Sequence, residues 1–340
     1  MAELNEILGN ERIKEHFITA VHHKKISHAY IIEGDKGSGK KMLAFAFSKI
    51  LQCETRQKTE EERACNQCES CIQMENKDHP DVIWVSHEKA GVISVGEIRE
   101  QVVNTVDIMP YKGPYKIYII DEAEKMNVAA QNAILKTIEE PPEYAIIFLL
   151  TTNRGAFLDT ILSRCILLET KPVSGKMIER YLGERYKIPE EEAEFAAGFS
   201  LGNIGKAEAI VSSEEFQDLK ELTLSILRYI HEIESYEIAD KVKEYKKYKN
   251  RIEDFFDIFL MWFRDIMLLK ADNSVNAEAA KKKIIFKNEY AYLKKQVDKL
   301  DLEAIDYVIG KIHRARVRIK SNVNFDATLE LLIVEARREF

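Results

Sequence analysis

Residues 34–41 read Gly-Asp-Lys-Gly-Ser-Gly-Lys-Lys, and no other stretch restricts the fold of this chain so tightly. A glycine-rich loop of this spacing wraps its backbone N–H groups around an anion only when it joins a buried strand to a helix N-terminus. The apolar run Ala29–Ile32 supplies the strand and residues 42–51 have the helical pattern. The common form of the loop ends in Lys followed by Ser or Thr, whose hydroxyl holds a magnesium ion. Here Lys41 stands at the hydroxyl position. Gly34, Gly37, Gly39 and Lys40 are therefore expected to cradle phosphate, with Lys41 beside them, while hydrolysis lacks a metal ligand.

The rest of the first half agrees with that unit. Asp81–Val85, Lys116–Ile120, Ala145–Thr151 and Cys165–Leu168 read as further buried strands, with helical stretches at 94–107 and 127–139 between them. Such alternation predicts a parallel sheet covered on both faces. Near Lys171-Pro172 it stops, and the remainder is helical in pattern. The fold class expected is α/β followed by all-α: a nucleotide domain over 1–170, a small helical lid over 171–212 and a helical domain over 213–340. The stretch from Ile252 carries Phe255, Phe256, Phe259, Trp262 and Phe263, a broad face that must pack on other helices. Lys-rich pieces at 241–251 and 281–287 read as solvated helix faces.

With 57 acidic against 50 basic residues the net charge is −7, which argues against a chain that grips nucleic acid alone through a broad basic surface. No apolar run approaches the ~20 residues of a membrane helix, and the N-terminus lacks the regions of an export signal. A cytoplasmic protein with no membrane contact is the expectation. A reducing compartment favours metal ligation over disulfides for its five cysteines. Cys53, Cys65, Cys68 and Cys71 fall within one polar, charge-rich insertion, over 53–71, with too few apolar residues for a core of its own. Four thiolates suit a closed structural zinc site, with an iron–sulfur cluster as rival and unliganded cysteines as the remaining reading. Cys165, outside the group, reads as a small buried hydrophobe.

Three further motifs bear on chemistry. The strand ending Ile120-Asp121-Glu122 is how phosphate-loop enzymes place one carboxylate near magnesium and another near the attacking water, although acidic caps on a surface turn would look the same. Asn153, after Thr151-Thr152, either reaches a phosphate or ends its strand in a turn. Arg164, in Ser163-Arg164-Cys165, is either a surface charge or a guanidinium offered to a neighbouring subunit's phosphates.

Together these motifs resemble the clamp-loader branch of the AAA+ ATPases. The carrying residues include Ser27-His28-Ala29-Tyr30, the loop, the four-cysteine insertion, Asp121–Met126, Asn132–Pro142, Thr151-Thr152-Asn153 and Ser163-Arg164-Cys165. Trp262-Phe263-Arg264-Asp265 and Asn322-Val323-Asn324 extend the likeness into the helical region. The resemblance implies a RecA-like domain, a lid and a collar that joins a five-membered ring. It implies motor (gamma/tau) and delta subunits as partners, with the sliding clamp and primer-template DNA met through the assembly. Zinc would be structural, and ATP or ADP a possible ligand. Arg164 would serve a neighbour's ATP in trans. Lys41, and a chain that stops at Phe340 where longer motor subunits continue, point to a stator with little or no ATPase activity of its own, a non-polymerising part of the replicase. The alternative is an ATP-hydrolysing motor subunit or an independent AAA+ ATPase.

Overall fold

The computed structural model describes all residues except 1–2, 60–62, 87–90 and 272–276. Parts of three sequence-based readings lie outside the described residues: the first two positions of the N-terminus, 60–62 of the cysteine insertion, and 272–276 of the helical region. The chain divides into two compact units, Met1–Ile178 with Leu201–Lys206, and Glu179–Ser200 with Ala207–Phe340.

The first unit is built on five parallel strands: β1 (Ala29–Glu33), β2 (Val82–Val85), β3 (Lys116–Ile120), β4 (Ala145–Thr151) and β5 (Ile166–Glu169), in the order β2-β3-β4-β1-β5. β1, β3 and β4 are buried almost throughout, as their unbroken apolar runs require. Alternate residues feed the two faces. Tyr30, Ile32, Ile117, Ile119, Phe148 and Leu150 join one core cluster, and Ala29, Ile31, Tyr118, Ile120, Ile147 and Leu149 the other. Helices α1 (Glu11–His22) and α2 (Lys40–Gln52) close the first face, where the Phe17 and Phe47 rings stack at 4.0 Å. After the short helices α3 (Glu54–Thr59) and α4 (Glu69–Asn76) come α5 (Val95–Ile98), α6 (Val128–Glu139) and α7 (Asp159–Leu162), which cover the second face.

One expected helix is shorter than its pattern. Residues 94–107 begin with a Ser94/Glu97 capping box, but α5 widens into a π-helical turn, Arg99–Val103, and stops. The segment continues in turns, with Ile108 N–H on the Thr105 carbonyl at 3.1 Å, and the Lys116 ammonium takes the carbonyls of Thr105 and Ile108 at 2.7 and 3.0 Å where the helical ladder has ended. Next, the buried Asp81 carboxylate accepts the N–H groups of Tyr111, Lys112 and Gly113 at 2.5, 2.7 and 2.8 Å. That anchor holds the loop leading into β3.

In the second unit lie most of α8 (Gly175–Tyr186), α9 (Glu190–Ser200), most of α10 (Ile204–Ser212), α11 (Glu214–Leu227), α12 (Ser235–Glu244), α13 (Ile252–Ala271), α14 (Ala277–Lys281), α15 (Tyr290–Val297), α16 (Leu302–Lys320) and α17 (Phe325–Arg338). The aromatic face of α13 is its core: Phe255, Phe256, Phe259, Trp262 and Phe263 are fully buried. The Trp262 indole donates to Gln296 Oε1 at 2.8 Å, and Gln296 donates on to the Leu227 carbonyl at 2.7 Å. Asp265, fully buried, accepts the N–H groups of Ile285 and Phe286, and burial pushes its carboxyl up to about 6. Lysines of the first basic piece meet acids, Lys243 with Asp240 and Lys246 with Asp326, as expected of solvated faces. No helix among the described residues is long and apolar enough to cross a membrane.

Replacing Asp81 by Ala leaves three backbone donors without their acceptor. The unfolding free energy from urea titration should fall by about 3 kcal/mol; a loss below about 0.5 kcal/mol would show that the loop does not depend on it.

Candidate functional site

The parallel register sorts the chemistry to two edges of the sheet. At the carboxyl edge, where open α/β sheets bind ligands, β1 runs into the Gly34–Lys41 loop. Gly34 continues the pairing by donating to the Thr151 carbonyl at 3.0 Å, and the β3 end brings Asp121 alongside. Gly39, at φ +92°, is the left-handed N-cap of α2, a conformation that suits glycine and turns the first N–H groups of the helix into the loop.

Lys40 lies buried with its ammonium on the loop's own carbonyls, Gly34 at 2.6 Å and Asp35 at 2.9 Å. Burial lowers its pKa, against the pull of Glu124, Asp121 and Asp35. Lys41 Nζ lies 2.6 Å from Asp121 Oδ2. Glu122 adopts φ 49° and turns to Lys125. Glu124, in the same acidic motif, accepts from Thr152 Oγ1 at 2.7 Å through Oε1, and its Oε2 is buried without a hydrogen-bond partner. The Asn153 side chain caps a short turn by accepting from Gly155 N–H at 2.9 Å. Of the residues expected at the site, Gly34, Gly37, Gly39, Lys40, Lys41 and Asp121 gather there; Glu122 and Asn153 lie at the same edge with their polar atoms engaged elsewhere.

A second stretch closes on the loop. Gly205 N–H donates to the Gly37 carbonyl at 3.0 Å and the Asn203 amide to the Lys36 carbonyl at 2.8 Å. The approach is so close that a Cβ on Gly205 would lie 2.7 Å from Gly37 Cα. From the other side, Thr170 Oγ1 donates to the Glu33 carbonyl at 3.1 Å and lies 3.0 Å from Ser38 Oγ.

Arg164 belongs to the opposite edge. It precedes β5, whose Ile166 pairs with Tyr30 and Glu169 with Glu33, so about five residues of strand, on the order of 15–20 Å, separate it from the loop. Its guanidinium is 40% exposed, bonded to the Thr160 carbonyl at 3.0 Å and Ser163 Oγ at 3.2 Å, and lies 3.1 Å from Glu139 at the end of α6. His28 is also at this edge. Its Nδ1 bonds the Ala145 carbonyl at 3.1 Å, a strand's length from the loop that follows Glu33.

The sulfur atoms of Cys53, Cys65, Cys68 and Cys71 all lie within 4.8 Å of one another. A tetrahedral zinc with Zn–S near 2.3 Å spaces its sulfurs by about 3.8 Å, so a small contraction closes the site. Backbone N–H groups already point at the sulfurs, Arg56 and Cys65 at Cys53 (3.5 and 3.3 Å) and Cys71 at Cys68 (3.4 Å), as metal thiolates require. Burial raises the Cys53 and Cys71 thiols. Burial also opposes ionisation of Cys65, but hydrogen bonds from Thr55, Gln67 and Cys68 outweigh it and bring Cys65 down to about 6. The four cysteines form a site able to hold a metal ion. His79, without a signal in the sequence, ties this module to the sheet: buried, it bonds Ser70 Oγ through Nε2 at 2.9 Å and accepts Asp81 N–H at Nδ1. Cys165 is half-buried against the second core cluster, its thiol pushed up to about 12 by burial.

A family model described as "DNA polymerase III, delta subunit" matches residues 9–174. DNA polymerase III subunit delta' of Bacillus subtilis is 26% identical over 337 residues, 98% of this chain and 97% of that protein. Over nearly its whole length the chain is thus similar to a subunit of DNA polymerase III. The tau subunit of Bacillus subtilis is 27% identical over 331 residues, 91% of this chain but 57% of its own length. Among solved structures, a gamma-subunit-related protein of Thermotoga maritima covers 95% of this chain and 99% of its own at 18% identity and a TM-score of 0.42. Homology with delta' and tau supports a clamp-loader AAA+ role in DNA replication, and the five-stranded parallel sheet with its helical C-terminal part is the RecA-like AAA+ class expected.

Gly205→Ala drives a methyl group into the phosphate loop. A loss of about 1–3 kcal/mol in urea unfolding is expected; unchanged stability would mean that residues 201–206 do not bear on the loop.

Proposed function

We propose that this chain is the delta' subunit of a bacterial clamp loader, a cytoplasmic stator that helps load the sliding clamp on primed DNA and gives Arg164 in trans to a neighbouring motor subunit. The observation that carries the reading is the division of charge between the two sheet edges. Lys41 and Asp121 are paired at the loop, where a motor needs a hydroxyl and a metal. Arg164 lies a strand's length away, half-exposed, beyond reach of its own loop but free to face another chain. Similarity over 97% of the length of delta' supports the same choice. In this reading residues 171–212 form a lid and 213–340 a collar, the partners are gamma/tau and delta subunits, and DNA is met through the assembly.

The chemistry given away is electrostatic. An arginine aimed at a transferring phosphoryl group stabilises charge that develops in the transition state. In the reconstituted assembly Arg164→Ala should lower the ATPase rate at the adjoining motor site by about 10³-fold; an unchanged rate would remove the role. Little turnover is expected from the purified chain, because the metal has no Ser or Thr ligand.

Zinc at Cys53, Cys65, Cys68 and Cys71 is the second part of the proposal. Bound to the thiolates it would order an insertion too polar to fold on its own. Protein purified without chelator should contain zinc near one equivalent by elemental analysis, lost in Cys68→Ser together with protection of residues 53–71 from proteolysis. Iron instead, or a metal-free chain equally protected, would overturn it.

A further inference from the structure

The metal ion that this fold ordinarily places beside its phosphate loop does not fit the residues present. Such an ion rests on the hydroxyl after the loop lysine and on the carboxylate at the end of the neighbouring strand. The first is replaced by Lys41, and the second, Asp121, already has the Lys41 ammonium 2.6 Å from Oδ2. Of the other acids at this edge, Glu122 turns to Lys125, and Glu124 receives the Thr152 hydroxyl at Oε1 while its Oε2 is buried without a hydrogen-bond partner, so the misfit rests on Lys41 and Asp121. A magnesium ion entering here would have to displace a tethered cation, lose water it releases reluctantly, and sit at contact distance from two ammonium groups.

The same geometry is favourable to a phosphate chain. Lys40 is held at the loop by two carbonyl oxygens it can leave for a phosphate, and Lys41 supplies a second positive charge on the next residue. The N–H groups of the first turn of α2 add their dipoles. A diphosphate stripped of metal carries one more set of open oxygens and more charge than its magnesium complex, and so gains more from two lysines.

We propose that Lys41 is a built-in substitute for the divalent cation, so that the loop takes an adenine nucleotide in its metal-free form. The proposal rests on the reading that the Gly34–Lys41 loop still cradles phosphate, and not on the role given to Arg164. It makes nucleotide a ligand that this chain holds without the means to hydrolyse it.

The test is ADP binding to the full-length chain, by calorimetry, in EDTA and in millimolar magnesium. The wild-type chain should bind ADP at least as tightly in EDTA as in magnesium. Lys41→Thr, which restores the hydroxyl and releases Asp121, should reverse this, with magnesium tightening ADP by about tenfold or more. The Lys41 side chain is 63% exposed, so the substitution does not disturb packing. Lys41→Met, which removes the charge without adding a ligand, should weaken ADP in EDTA by about tenfold. Tightening of the wild-type complex by magnesium would overturn the substitution and leave the cradle standing. No heat from ADP in either medium, at millimolar concentration, would overturn the cradle and the proposal with it. Either result leaves the trans role of Arg164 to its own measurement.

Discussion

The burial of β1 between β4 and β5 is the constraint on which the rest depends. With both neighbours parallel and in register, Tyr30 is opposite Phe148 and Ile166, and Glu33 opposite Thr151 and Glu169. Everything that leaves the strands at their carboxyl ends then gathers around Gly34–Lys41, and everything that enters them at the other end faces away. The stack of Phe17 on Phe47 and of Tyr30 on Phe148, with centroids at 4.0 and 5.2 Å, packs α1 and α2 on the sheet and so sets the direction of the α2 N-terminus. A shift of one residue in β1 would turn its apolar set to the wrong faces and move the loop off Asp121 together.

That geometry separates holding from acting. At the loop, Lys41 answers the Asp121 carboxylate and Lys40 the loop's own carbonyls, and residues 201–206 lie directly on the loop backbone. At the far edge Arg164 rests on Glu139, a partly exposed pair of the kind that contributes little to stability and is readily given up. The four-cysteine module of residues 53–71 is joined to the same sheet through Ser70, His79 and Asp81, so the insertion is attached to the core by hydrogen bonds where it has few apolar residues to do so.

Much of this is legible in the residues. Five strand positions follow from short β-branched runs, since a strand buried on both faces has to be apolar throughout, and each is found within a residue or two. The cysteine spacing is equally direct, because thiolates this dense in a polar segment have few other uses. The 94–107 stretch was less so: its pattern continues past the point where Lys116, distant in sequence, takes its carbonyls. Gln131 gave no sign either, yet its amide bonds the carbonyls of Met126 and Ala156 and accepts Leu158 N–H, joining the start of α6 to the turn before α7.

The sequence by itself determined the class of fold, the loop and its missing hydroxyl, and the grouping of four cysteines, because each depends on spacing along the chain. Only the tertiary structure decided what the polar groups do. Asp121 and Glu122 are adjacent in the chain, yet one meets Lys41 and the other, in a left-handed turn, meets Lys125. Asn153 caps its own turn, and Arg164 belongs to the edge its loop cannot reach. A motif names the charges present; the direction in which each points is set by strand register and by backbone dihedrals, and those are properties of the packed chain.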